Sequence, residues 1–216
     1  MFKYESRVSP RSYTPRQRRG TVDKTRERIL AAAREILLSP SFSEFTMDAV
    51  AKKADVVRLT LYYQFKSKSG LLEALYDYLA KRGEMQRMAD VFHHTYDPIT
   101  TLHEFILVFA RFWASDREVI RRLHGLAAVD PDIGAGLRSR NERRRQGLTV
   151  VIERYAKMYP IAARHRPLAI DILHMLTSFE TYDALAGESR SMEEVVAILR
   201  KMANQAIGFV QRPAAP

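Results

Sequence analysis

Cysteine is absent from the 216 residues. That excludes a disulfide framework, a thiolate zinc site and a cysteine nucleophile. Glycine is scarce, with nine residues scattered mostly singly, and neither a Gly-rich phosphate loop nor a Gly-x-Ser-x-Gly elbow occurs. The six histidines, His93, His94, His103, His124, His165 and His174, form no His-x-x-x-His or Glu-x-x-His pair that would place two ligands on one helical face. The expectation is therefore no catalytic residue, no metal site and no cofactor. No apolar run reaches the ~18 residues of a membrane span, and the first twenty residues lack the apolar centre of a signal peptide. A cytoplasmic chain with no membrane partner follows as an expectation. Alternating strand patterns are missing too, while apolar residues recur at helical spacing throughout, which predicts an all-α fold.

Negative charge is also in short supply. Thirty-five Lys and Arg face twenty-five Asp and Glu, a net charge of +10. Residues 1–70 hold fifteen basic against seven acidic residues, a balance of +8, and the other 146 hold twenty against eighteen. Positive potential is thus concentrated in the first third, as a face meeting a polyanion requires.

That first third contains the most specific stretch, residues 45–68. Met47, Val50, Ala51 and Ala54 recur at i, i+3, i+4, i+7, predicting a two-turn helix with Thr46 as N-cap and Asp48 in its first turn. Asp55, Val56 and Val57 break the period. Val56, Leu61 and Phe65 then supply an apolar set that can pack back on the first helix, while Arg58, Thr60, Tyr63 and Gln64 point away. The spacing predicts a helix-turn-helix, and the outward residues are types that read base edges and grip phosphates.

In Ala54, Val56, Thr60, Leu61, Tyr62, Phe65 and Lys68 the stretch resembles the signature of the TetR-type (tetracycline-repressor-like) transcriptional regulators. The likeness has specific motifs over roughly residues 22–72 and extends further only through length and helical character. Asp55 stands where the pattern has Gly, Val57 where it has Ser, Leu59 where Gly is common and Gln64 where His is common. Asp tolerates a left-handed turn, so the turn is expected to survive. Val57 offers no oxygen to the helix N-terminus, a deficit on the order of 1 kcal/mol. The resemblance implies that Arg58, Leu59, Thr60 and Tyr63 face the major groove of an operator, while Thr46, Tyr62, Gln64 and Lys68 hold phosphates. Lys68 at a helix N-terminus opposes the helix dipole, a cost that a bound phosphate would cancel.

Around this unit the expected organisation is a flexible basic arm over 1–20, a helix-turn-helix domain over 21–70 and a helical effector-binding and dimerisation domain over 71–212. Arg16, Arg18 and Arg19 close the arm, where they could enter a minor groove. A supporting helix runs from Val22 to Leu38 with Thr21 as its cap. Phe42 and Phe45 fill the loop after it. A fourth helix is read from Ser67 to about Met88, joining the DNA unit to the rest as the only continuous link and ending near Met85, Met88 and Phe92. Further helices are expected at 98–114, 116–126, 133–158, 166–186 and 191–210. Arg138, Arg140, Arg143, Arg144 and Arg145 read as a solvated face.

The resemblance further implies a ligand cavity lined by Phe105, Phe109, Trp113, His124, Met175, Phe179 and Tyr182, suited to a small hydrophobic or aromatic effector; plain core packing is the alternative for each. It also implies a homodimer through the last two long helices. Leu168, Ile172, Met175, Leu176 and Phe179 form one apolar side, with Val195, Val196, Leu199, Met202 and Ile207 on the other. An effector-released repressor on a palindromic double-stranded operator is the leading expectation. A constitutive architectural DNA-binding protein is the second, and a helical enzyme or interaction module the weakest.

Overall fold

A computed structural model describes residues 15–39, 45–94, 97–159 and 161–211, with side chains from residue 23 to 210. Among these residues there is no strand. Eleven α-helices follow in chain order: α1 (Pro15–Leu38), α2 (Met47–Lys53), α3 (Arg58–Phe65), α4 (Lys68–Arg82), α5 (Met88–His93), α6 (Pro98–Ser115), α7 (Arg117–Val129), α8 (Pro131–Met158), α9 (Arg166–Leu176), α10 (Phe179–Ala186) and α11 (Met192–Gln211). No described helix is long and apolar enough to cross a membrane.

The first helix corrects the expected arm. Helix α1 begins at Pro15 rather than Val22, so Arg16, Arg18, Arg19 and the expected cap Thr21 lie within it. Proline suits the first turn, and the following Arg and Gln residues are good helix formers. The remainder of the arm, and Phe42, lie outside the described residues. Ile29, Leu30, Ala33 and Leu37 are buried with Phe45, Met47, Val50, Ala51, Leu61 and Phe65, the helix-turn-helix end of one continuous core. Each such large side chain contributes about 1.5–3 kcal/mol by leaving water.

Helix α4 ends at Gly83, well before Met88. A Cβ on Gly83 would stand 2.7 Å from the Phe112 Cα, so α4 and α6 meet there at backbone distance and only glycine fits. Glu84 then turns left-handed with φ 58°, a 3-10 turn follows at Met85–Arg87, and α5 starts anew. The expected single long link is therefore two pieces, and α4 is not the only joint. Arg122 of α7 donates to the carbonyls of Leu37 and Ser39 at the end of α1.

Helix α6 is apolar nearly all round, with Leu102, Phe105, Ile106, Phe109, Phe112 and Trp113 buried, and it forms the axis of the larger unit. It touches α4, α5, α8, α10 and α11. The segment read as one helix from 166 to 186 is broken at Thr177 and Ser178. Ser178 accepts from the Thr181 N–H at 3.1 Å and caps α10, while Thr177 is buried.

Candidate nucleic-acid interface and interior cavity

The helix-turn-helix is set by short-range chemistry. Thr46 Oγ1 accepts the Ala49 N–H at 3.1 Å and fixes the start of α2. Asp55 carries the turn at φ 50°, and the Val57 side chain makes no cap bond. Leu61 and Phe65 are buried while Leu59 and Tyr63 are 77% and 76% exposed. Large side chains so exposed on a two-turn helix are not held by intramolecular packing, and they leave α3 with a face free to meet another surface.

Arg58 is exposed but not idle. Its guanidinium donates to Asp48 Oδ2 at 3.0 Å and to the Tyr62 hydroxyl at 3.1 Å. The Tyr62 hydroxyl, then the Asp48 charge, hold it above its ordinary pKa. These bonds orient the side chain along the outer face of α3. Thr60 and Gln64 are half-buried, and the Gln64 Oε1 is buried without a partner. Tyr62 is exposed at the helix flank. Lys68 stands at the first position of α4, with Ser67 accepting the Gly70 N–H at 3.0 Å, and its ammonium lies 5.9 Å from the Phe45 ring centroid. Thr46 thus stands at the start of α2, Lys68 at the start of α4 and Tyr62 on α3 itself.

The second feature is a cavity of about 230 Å³ between α4, α5, α6 and α8. Its apolar wall includes Tyr76, Ala80, Met85, Met88 and Phe92 from the first two elements and the turn between them, with Phe105, Phe109, Phe112 and Trp113 from α6. Its other wall is one stripe of α8: Leu137, Arg140, Asn141, Arg143, Arg144 and Gly147. Gly147 lies where a Cβ would come within 2.9 Å of the Phe105 ring.

Of the expected lining, Phe105, Phe109 and Trp113 reach the cavity and the other four do not. His124 and Phe179 lie behind Trp113, with ring centroids 6.4 and 5.6 Å from it, and His124 Nδ1 meets Glu180 at 2.8 Å. That contact, foremost among the causes, pulls the Glu180 carboxyl down to about 2. Tyr182 is buried in α10, away from the cavity, and Met175 is 56% exposed on α9. The break at Thr177 rotates α10 relative to α9, so the continuous stripe assumed for 166–186 does not exist.

The α8 arginines correct the solvated-face reading. Arg144 is only 5% exposed. It donates to the His174 carbonyl at 2.8 Å and to Thr177 Oγ1 at 3.1 Å. Arg140 donates to Glu73 and Asp77 of α4 at 2.7 and 3.0 Å. Arg145 pairs with Asp171 of α9 at 2.6 Å. Asp116, which the sequence marks only as a helix boundary, is a fully buried carboxylate bound by Arg34 of α1 and Arg82 of α4. A buried charge needs partners, but nothing in the local sequence marks which.

The expected apolar sides of the last helices are redistributed. Leu176, Phe179, Val195, Val196, Leu199 and Ile207 are core. Leu168 and Met175 on α9, with Met202 and Phe209 on α11, remain 46%, 56%, 38% and 67% exposed.

With this geometry the comparisons agree. Residues 29–75 match the family described as "Bacterial regulatory proteins, tetR family". The HTH-type transcriptional regulator EthR of Mycolicibacterium smegmatis is 39% identical over 74 residues, 33% of this chain and 34% of that protein. The HTH-type transcriptional regulator AlkX of Mycobacterium tuberculosis is 33% identical over 110 residues, 49% and 50% of the two chains. The matched stretches thus span between a third and a half of these relatives. Solved structures extend the likeness to the whole fold. A TetR-like transcriptional regulator from a Rhodococcus species superposes with a TM-score of 0.64 at 20% identity, covering 85% of this chain and 96% of its own. A TetR transcription regulator from Haloarcula marismortui gives 0.64 at 17%, covering 88% and 100%.

Proposed function

We propose, for a chain whose N-terminal unit is a TetR-type helix-turn-helix, that it acts as a dimeric transcriptional repressor released from a palindromic operator by a small effector held in the cavity. The observation that carries the DNA-binding part is the exposed face of α3, whose Arg58, Leu59 and Tyr63 extend away from the buried Leu61 and Phe65. In the proposed complex Arg58, Leu59, Thr60 and Tyr63 enter the major groove, and Thr46, Tyr62, Gln64 and Lys68 meet phosphates. Dimerisation is assigned to the apolar stripes of α9 and α11, which pack side by side and leave Leu168, Met175, Met202 and Phe209 outward. A two-fold axis there places two α3 helices on half-sites ~34 Å apart or a multiple of it.

The cavity favours the effector-controlled reading over a constitutive architectural protein, because it borders both α4 and the α6 axis. An occupant that fits better when α4 is displaced would move the recognition helices, and it acts only through that difference in affinity. Selection of bound duplexes from a random pool tests the proposal. It should recover an inverted repeat, with affinity falling steeply as salt rises. Recovery of no sequence preference would leave the architectural reading instead.

A further inference from the structure

The cavity has one apolar wall and one wall whose charge is not locally balanced. Arg144 lies within that second wall, and among the described residues it has no carboxylate partner. Its donors meet only neutral acceptors: the His174 carbonyl, Thr177 Oγ1 and Asn141 Oδ1. Its Nε is buried without a partner. The C-terminal carbonyls of α9 take up part of the charge through the helix dipole, about half of an elementary charge at most. Burial pushes the guanidinium down to about 10 against the opposing pull of Glu180, so it stays cationic at neutral pH. Arg140, one turn away, differs in kind, because Glu73 and Asp77 neutralise it. A buried cation lacking a counter-charge is costly, and in a cavity whose facing wall is apolar the group that removes the cost is an anion arriving with an apolar body.

We infer that the cavity takes an amphipathic monoanion, a carboxylate carried on an apolar chain or single ring, with the carboxylate on Arg144 and the body against Phe105, Phe109 and Trp113. The inference rests on the proposed effector site and narrows it to a chemical class. A volume of about 230 Å³ is small for a ligand cavity, ~300–1,000 Å³ being usual, and limits the body to a medium chain or one ring. The Asn141 amide, already bonded to Arg144 at 3.2 Å, stands ready as a second donor on the same wall.

The test compares octanoate with octan-1-ol on the full-length protein. Binding is read by calorimetry and by emission of Trp113, the single tryptophan of the chain, which lines the cavity. Octanoate should bind roughly tenfold or more tighter than octanol, as a charge-assisted bond in a dry site requires. Arg144→Met should abolish that difference while leaving octanol affinity within about twofold. Its thermal midpoint should not fall, since methionine removes an uncompensated buried charge without leaving a void. Arg144→Lys, which keeps the charge, should retain the octanoate preference. The wild-type comparison stands alone if either variant misfolds. Equal affinity for both probes would overturn the anionic class while leaving an effector cavity in place. Absence of binding by either probe would overturn the inference altogether. DNA selection, done without any effector, is independent of each result, so the failure of one reading is separable from that of the other.

Discussion

Asp116, buried at the head of α7, holds Arg34 of α1 through two guanidinium nitrogens at 2.5 Å and Arg82 at the end of α4 at 2.9 Å, and so joins α1 of the DNA-binding unit to the larger unit. The carboxylate is fully enclosed while both arginines reach solvent. Asp116→Ala should therefore destabilise by about 2 kcal/mol, less than the ~3–5 of a wholly buried pair, because the freed guanidinium groups can rehydrate. Urea unfolding measures this. The same variant should weaken the coupling between cavity and DNA, seen as a smaller change in operator affinity on adding a cavity ligand. Unaltered stability would mean that the Asp116 ion pairs add nothing to the apolar packing and the Arg122 bonds that also join the two units.

On the DNA face, Arg58 and Lys68 should respond differently. Arg58→Ala is expected to cost about 1–3 kcal/mol on the preferred operator and to relax choice at one position per half-site. Asp48→Ala, which frees Arg58 from its ion pair, should tighten binding modestly. Lys68→Ala should weaken all sequences alike and lower the salt slope by about one. Titrations on matched and mismatched duplexes separate these outcomes. Wild-type behaviour in both alanine variants would remove α3 from the groove.

The start of α3 lacks a side-chain cap, and Val57 there is 70% exposed. Val57→Ser supplies an oxygen to the free N–H groups and should stabilise the fold by about 1 kcal/mol, while Thr46→Ala, which deletes the cap of α2, should cost about as much. Thermal melts of the two variants check both signs. A Val57→Ser protein no more stable than wild type would show that the N-terminus of α3 is already satisfied.

If α9 and α11 form the dimer face, a charge at its exposed apolar side chains should split the assembly. Phe209→Glu and Met175→Glu replace side chains that are mostly exposed in a single chain, so neither should cost the monomer much stability. Light scattering at micromolar protein should show a dimer for the wild type and a monomer for the double variant. A wild-type monomer would sink the arrangement.

How much of this was legible beforehand depended on the range of the interactions. The helix-turn-helix was read from residues a few positions apart: Thr46 capping Ala49, Asp55 turning left-handed, Leu61 and Phe65 inward. All-helical character, and most helix bounds in the second half, followed from the period alone. The breaks at Gly83 and at Thr177 were missed because apolar spacing continues across them. Ser178 followed by Thr181 was a cap signal overlooked, whereas the contact of Gly83 with Phe112 lies in tertiary packing and has no local trace. Phe105, Phe109 and Trp113, on the axis helix, line the cavity, and Met175, across the break, does not. The inward turn of Arg144 was invisible in a run of arginines, since the sequence shows the charges and only the packing of α8 on α9 decides which one is enclosed.

His174 offers a pH readout of that enclosure. Its ring is held below the ordinary value near 6.5, first by burial and then by the Arg144 charge, with Arg145 adding to this and Glu142 and a bond to the Asn141 carbonyl opposing it. A depressed pKa means that the unfolded chain takes up the proton more readily than the native one. The associated stability is therefore complete above about pH 6.5 and is lost as pH falls toward and through the lower native value. Thermal midpoints should accordingly decline below pH 6.5, and His174→Gln should flatten that part of the curve. NMR titration of the His174 ring in Arg144→Met should show its pKa moving upward but stopping short of 6.5, because burial, the larger cause, remains. Octanoate added to the wild type should move it in the same direction by screening Arg144. A His174 ring that titrates identically in wild type and variant would mean that Arg144 exerts no field on this end of the cavity.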